Sequence, residues 1–187
     1  AATSSTGALG IIASATMTYD QLKTAIAEVK DRTANPFGVN LRTDHADVER
    51  FVALMVGEGV KVASFAQAPS AAIVARLKDA GIVTIPAAAA PRHAEKVAAL
   101  GVDAMIAQGH EGGGHTGPIP TSLLLPRVTR LVDVPVLGAG GFHDGRGLVA
   151  ALAWGAAGVA MGTRFLLTKE SPVAAADIWR QGHVTDP

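Results

Sequence analysis

The chain has 187 residues, enough for one domain with a sizeable core, and its 16 Lys and Arg balance 16 Asp and Glu for a formal net charge of +0. That neutrality, without any block of like charge, argues against a nucleic-acid partner, and the absence of cysteine excludes disulfides, thiolate zinc sites and a cysteine nucleophile. No apolar run approaches the ~18 residues of a membrane span and residues 1–6 lack the pattern of a secretory signal, so a cytoplasmic protein with no membrane partner is expected.

Strand-like and helix-like runs alternate along the chain. Residues 1–5 read as the tail of a helix, and 11–14 as a short strand. Asp20 is placed to cap a helix carrying Leu22, Ala25, Ile26 and Val29 on one face, broken at Asn35-Pro36. A strand at 37–41 precedes a helix with Val48, Phe51, Val52 and Met55 inward, ending near Gly57 and Gly59. The run 60–65 leads to a helix begun by Pro69-Ser70, with Ile73, Val74 and Leu77 inward and Gly81 as its stop. Then come a strand at 82–85, a helix from Pro91 burying Ala94, Val97 and Ala98, and a strand at 102–106. A glycine-rich loop covers 107–117, and Thr121-Ser122 opens a helix with Leu124, Leu125, Val128, Leu131 and Val132. A strand at 134–137 runs into Gly138-Ala139-Gly140-Gly141. Asp144 caps a helix whose inward residues are Leu148, Val149 and Leu152, Gly155 ends it, and 158–161 is the last strand.

This repeat of β and α with short connections implies parallel strands, because parallel neighbours need a helical crossover. The strands are apolar throughout, so both faces are covered. The choice lies between a doubly wound sheet and a (β/α)₈ TIM barrel, and the regular repeat with ligand-like loops at strand C-termini favours the barrel. Seven strands are one short of a barrel, so the chain reads as a single domain over 1–187, lacking the first strand and a C-terminal extension.

The chemistry is expected at the C-terminal strand ends. Gly138 to Gly141 and Gly162-Thr163 stand where barrels hold phosphate on backbone N–H groups. They are not a dinucleotide fingerprint, since position 143 is His143, and no Walker motif is present. A flavin mononucleotide (FMN) or a sugar phosphate remains. His110, Glu111 and His115 are spaced H-E-x-x-x-H rather than the H-E-x-x-H of a zincin helix, so no metal is expected. His110 reads as a solvated loop residue and His115 as a general base, its imidazole suited to proton abstraction near neutral pH.

Together Ala107-Gln108-Gly109-x-Glu111-x-Gly113-Gly114-His115-x-Gly117, Phe37-Gly38-Val39-Asn40-Leu41, Gly138-Ala139-Gly140-Gly141-Phe142 and Met161-Gly162-Thr163-Arg164-Phe165 resemble the blocks of the nitronate monooxygenase family, formerly 2-nitropropane dioxygenases. The resemblance runs from about Gly7 to Pro172 and implies an FMN-containing (β/α)₈ barrel. It implies that His115 is the catalytic base. It also implies that Gln108, Gly113 and Gly114 touch the flavin, that Asn40 lies near its ring, and that Gly140, Gly141, Gly162 and Thr163 hold its phosphate. The family's first-strand flavin contact is absent from the chain, and the 86–91 stretch is less polar than the family's.

The implied activity is FMN-dependent oxidation of alkyl nitronates with dioxygen. The alternative is an FMN- and NAD(P)H-dependent reductase of enoyl-CoA-type thioesters in lipid or steroid metabolism. The Gly-Gly-Gly-His-Thr-Gly-Pro variant at 112–118 and the residues 121–126 look closer to members acting on CoA thioesters. Outside the redox class stands a phosphate-binding barrel isomerase or lyase. The partner is a small molecule, and the oligomeric state stays open, a dimer being one option.

Overall fold

The computed structural model describes residues 1–114, 116–169 and 171. The chain divides into two compact units, Ala1–Ala88 with Arg92–Met105, and Ala89–Pro91 with everything from Ile106 onward.

In the first unit α1 (Ala2–Ser5) leads into β1 (Gly10–Ala13), α2 (Tyr19–Arg32), β2 (Phe37–Leu41), α3 (Val48–Gly57), β3 (Val62–Phe65), α4 (Ala71–Asp79), β4 (Val83–Ala88) and α5 (Pro91–Ala98), whose first residue belongs to the second unit. β1 pairs with β2, β2 with β3 and β3 with β4, all parallel. The register sets Ala13 beside Asn40, Asn40 beside Ser64, and Ser64 beside Ile85.

The helices start where backbone N–H groups find a side-chain acceptor. α2 is capped by Thr18, not by the expected Asp20. Thr18 Oγ1 accepts from the Gln21 N–H at 3.3 Å while Gln21 Oε1 accepts from the Thr18 N–H at 2.8 Å, a reciprocal box that leaves Asp20 inside the first turn. Ser70 caps α4 as expected, accepting from the Ile73 N–H at 3.2 Å. The core gathers Leu22 and Ile26 of α2, Phe51, Val52 and Met55 of α3, and Leu77 of α4 against Val39, Leu41, Ala63 and Phe65 of the strands. Each fully buried Leu or Phe there contributes about 1.5–3 kcal/mol of transfer free energy.

The second unit carries β5 (Met105–Gln108, from Ile106 on), α6 (Thr121–Val128), β6 (Val136–Ala139), α7 (Gly145–Ala153), β7 (Gly158–Ala160) and α8 (Thr163–Leu166). β6 and β7 are parallel, with Ala139 beside Ala160. Leu124, Leu125 and Val128 of α6 are buried. α6 stops short of the expected Leu131 and Val132: beyond Val128 the chain tightens, Arg130 and Leu131 donating only three residues back, to Arg127 and Val128.

Two further sequence expectations are corrected. β3, β4, β5 and β6 begin one to three residues later than the apolar runs suggest, while β2 and β7 begin where expected. Residues 102–104 are drawn off by Thr84, whose N–H and hydroxyl both donate to Asp103 Oδ2 at 2.8 Å, and β5 starts only at Met105. β6 likewise takes in Gly138 and Ala139, so the glycine turn begins at Gly140. The second correction is α7. Leu148, Val149 and Leu152 are 37%, 66% and 49% exposed, and Ala151 is the buried residue. The inward stripe is Gly147, Ala150 and Ala151, small residues at helical spacing that let α7 come close, continued by the half-buried C-cap Trp154; a β-carbon on Gly147 would stand 3.1 Å from the Phe142 ring.

Candidate functional site

In the first unit Asn40 is the one half-buried residue of β2. Its amide donates to Ser64 Oγ at 2.9 Å, and its carbonyl accepts from Ser14 Oγ at 2.5 Å. Ser14 and Ser64 are 1% and 2% exposed, so three polar residues stand at the C-terminal ends of adjacent strands, each with a partner. Sequence reading placed Ser14 and Asn40 at strand ends but not Ser64, whose Oγ accepts from the Asn40 amide.

The other described candidates all belong to the second unit. Gln108 ends β5, and its amide nitrogen donates to the Gly113 carbonyl at 2.9 Å, folding the glycine loop back over the strand end. Gly109 donates to the Ala139 carbonyl at 2.9 Å, and Gly112 to the Gly109 carbonyl at 3.1 Å. These bonds tie the loop after β5 to the end of β6. A β-carbon on Gly140 (φ +103°) would lie 3.0 Å from the Gly112 nitrogen, so glycine is required there by backbone and by space. Gly113 comes near the loop after β7, since a β-carbon on it would lie 3.8 Å from Thr163 Oγ1. The fold therefore brings together Gln108, Gly113, Gly114, Gly140, Gly141, Gly162 and Thr163 on three loops of one unit. His115 lies outside the described residues.

The donors on these loops suit an anion. The N–H groups of Gly141, Gly162 and Thr163 have no acceptor among the described residues. Gly141 has φ +77°. The first turn of α7 is different: Asp144 Oδ1 accepts from the Arg146 and Gly147 N–H groups, both at 3.0 Å, so that end already holds a carboxylate. The Gly147 N–H bond, with smaller help from His143 and Arg146, holds the Asp144 carboxyl below the usual range.

Sequence reading tested Glu111 as a metal ligand and missed its bond to Thr121. Its carboxylate accepts from the Thr121 N–H (2.9 Å to Oε2) and from Thr121 Oγ1 at 2.8 Å, ten residues away across the loop. Partial burial opposes its charge, but the bonds from its own N–H and from Thr121, with His110 nearby, leave its pKa below the usual range. His110 Nδ1 stands 3.2 Å from Glu111 Oε2 with its side chain 53% exposed, which is the solvated position expected of it. Among the described residues no group of three or more His, Asp or Glu is placed to hold a metal ion. Among them, too, no helix is long and apolar enough to cross a membrane.

The nitronate monooxygenase family model matches residues 1–53 and 47–182. The chain is 62% identical over 178 residues to a Mycobacterium tuberculosis protein named (3aS,4S,5R,7aS)-5-hydroxy-7a-methyl-1-oxo-octahydro-1H-indene-4-carboxyl-CoA dehydrogenase, covering 94% of this chain and 50% of that protein. It is 30% identical over 217 residues to a probable nitronate monooxygenase of Staphylococcus aureus, covering 91% of this chain and 61% of that one. Among solved structures FabK from Thermotoga maritima superposes with a TM-score of 0.90 at 40% identity, over 96% of this chain and 57% of that chain. The fold is accordingly of the α/β TIM-barrel class. The chain spans about half the length of the curated relatives it matches at 60% and 62% identity.

Proposed function

Because the chain belongs to the nitronate monooxygenase family, we propose that the whole protein is an FMN-dependent oxidoreductase acting on an acyl-CoA thioester of a fused-ring acid. The observation that carries the substrate class is the 62% identity, over 94% of this chain, to the named octahydroindene carboxyl-CoA dehydrogenase. The named nitronate monooxygenase is far less similar, at 30%. Of the two substrate classes that the family resemblance left open, nitronates and CoA thioesters, the CoA thioesters have the stronger support, here in the oxidising direction that the relative's name gives. CoA thioesters are intracellular metabolites, so the location proposed is the cytoplasm.

The donor set fits FMN. Its phosphate would take the N–H groups of Gly141, Gly162 and Thr163 and the Thr163 hydroxyl, with Gly140 completing the turn. Gln108, Gly113 and Gly114 would lie along the flavin from the loop after β5, and Asn40 is assigned to the ring by the family resemblance. Bound flavin supplies a two-electron acceptor that neither His nor Gln provides.

The remaining work falls to the chain. A thioester carbonyl acidifies the carbon beside it, and neutral His115 would take that proton; an imidazole with a pKa of ~6.5 is a competent base at neutral pH. The glycines before His115 leave room for the backbone to approach the ligand closely. Gln108 holds that loop through Gly113.

The test is anaerobic mixing of the flavin-loaded protein with the octahydroindene carboxyl-CoA thioester, following the oxidised-flavin absorbance. Bleaching is expected. No bleaching, with oxygen uptake driven by propionate-3-nitronate instead, would move the substrate to the nitronates. A protein that stays colourless after FMN addition would favour the non-redox phosphate-binding barrel.

A further inference from the structure

α6 begins in an unusual way. Its N-cap position is Pro120, which offers no side-chain acceptor. The carboxylate that serves the first N–H arrives from Glu111, whereas Asp144 caps its own helix, α7. Thr121 is 3% exposed and fills a space that no other side chain could share. A β-carbon on Gly109 would lie 2.5 Å from its Cα and N, and one on Gly140 would lie 2.8 Å from its Oγ1. Thr121 is thus a wedge between the loop after β5 and the turn after β6. Its hydroxyl has one proton and three acceptors in reach: Glu111 Oε2 at 2.8 Å, the Gly140 carbonyl at 3.1 Å and the Ala139 carbonyl at 3.3 Å. The shortest contact is to the carboxylate, the strongest acceptor of the three.

We propose that Glu111 is a positioning residue for the cofactor: by clamping Thr121 it locks the loop 109–114 to the turn 139–141 and so sets the spacing of the flavin-binding glycines. This rests on the flavin reading above. Glu111 acts through Thr121, through the Gly109 N–H bond to Ala139, and through the Gly112 N–H bond to Gly109. With the clamp released, the loop that carries Gly113 and Gly114 loses its fixed distance to Gly140 and Gly141. Flavin affinity should then fall, while the buried face of α6 (Leu124, Leu125 and Val128) keeps the helix in place.

The experiment titrates flavin-free protein with FMN by fluorescence and follows melting by circular dichroism, for wild type, Glu111→Gln, Thr121→Val, Thr121→Ser and Thr129→Val. Loss of a charge-assisted bond predicts FMN binding weakened about tenfold in Glu111→Gln and Thr121→Val. Thr121→Ser keeps the hydroxyl and should restore affinity to within about threefold of wild type, well under the cost of a lost bond. Thr129→Val removes a neutral hydroxyl bond in the same unit, from Thr129 Oγ1 to the Trp154 carbonyl at 3.0 Å, but touches neither loop. It should lower the melting temperature and leave FMN affinity unchanged. Should Glu111→Gln fail to fold, Thr121→Val carries the same comparison. Wild-type affinity in both clamp variants would overturn the inference, and so would an equal loss in Thr129→Val. Wild-type protein that binds no FMN would overturn the flavin reading, and the inference with it.

Discussion

Gly109→Ala is the sharpest probe of the site's packing. The added methyl would stand 2.5 Å from both Cα and N of Thr121. Non-bonded carbons settle at ~3.5–4.0 Å, so the overlap is about 1 Å or more and falls on backbone that cannot rotate away. Overpacking of this kind costs about 1–3 kcal/mol. Relieving it stretches the Gly109 bond to Ala139 and the Glu111 clamp on Thr121, adding about 2 kcal/mol between a neutral and a charge-assisted bond. The expected loss is roughly 3–5 kcal/mol, a large part of the roughly 5–15 kcal/mol that stabilises a domain. Two controls separate space from backbone. At Gly114 φ is +86° and a β-carbon would meet nothing within 4 Å, so Gly114→Ala should cost only the left-handed penalty of about 1–2 kcal/mol. Gly57 ends α3 with ordinary helical backbone and open space, so Gly57→Ala should stabilise by about 0.4–1 kcal/mol. Urea unfolding of the three variants gives the ranking directly from their midpoints if the slopes agree. Gly109→Ala no more destabilising than Gly114→Ala would refute the packing argument.

The other expectations are narrower. Asp144→Ala should cost about 1 kcal/mol in urea unfolding, because Oδ1 alone caps the Arg146 and Gly147 N–H groups of α7. Asp103 is held below its ordinary pKa of 3.8: burial opposes its charge, but the Thr84 N–H, the Thr84 hydroxyl and Lys78 outweigh it. Its contribution is therefore complete above about pH 4–5 and is lost as pH falls through the lower native value, so Asp103→Asn should be less stable at neutral pH and show a flatter acid limb in a pH series of melts. A wild-type-like acid limb in that variant would count against the Thr84 bonds. His115→Ala should abolish turnover of the thioester while retaining FMN. Loss of FMN instead would make His115 a cofactor contact rather than a base.

The alternation of strands and helices was legible because it rests on local periodicity, and the pairing of β1 through β4 follows from the crossovers. The glycines at 109, 114, 140 and 141 could be read as places where the backbone needs freedom or room. Which glycine needed which was not legible. Gly114 takes a positive φ in open space, while Gly109 yields its room to a threonine twelve residues away. Strand starts were misjudged because an apolar run only permits a strand; the ladder partner decides where it begins, and Thr84 took Asp103 out of the run before β5. The inward face of α7 was misjudged for a related reason. Leucine and valine mark what prefers burial, but close packing selected Gly147 and Ala151 and left Val149 at 66% exposure. The pairing of Glu111 with Thr121 carried no local signal, since the two are not at helical or strand spacing and the contact exists only after the loop has closed. The sequence by itself determined the order of elements and the strand ends at which chemistry could stand. The tertiary structure decided which groups share a bond there, because hydrogen bonds and excluded volume act between positions that periodicity does not relate.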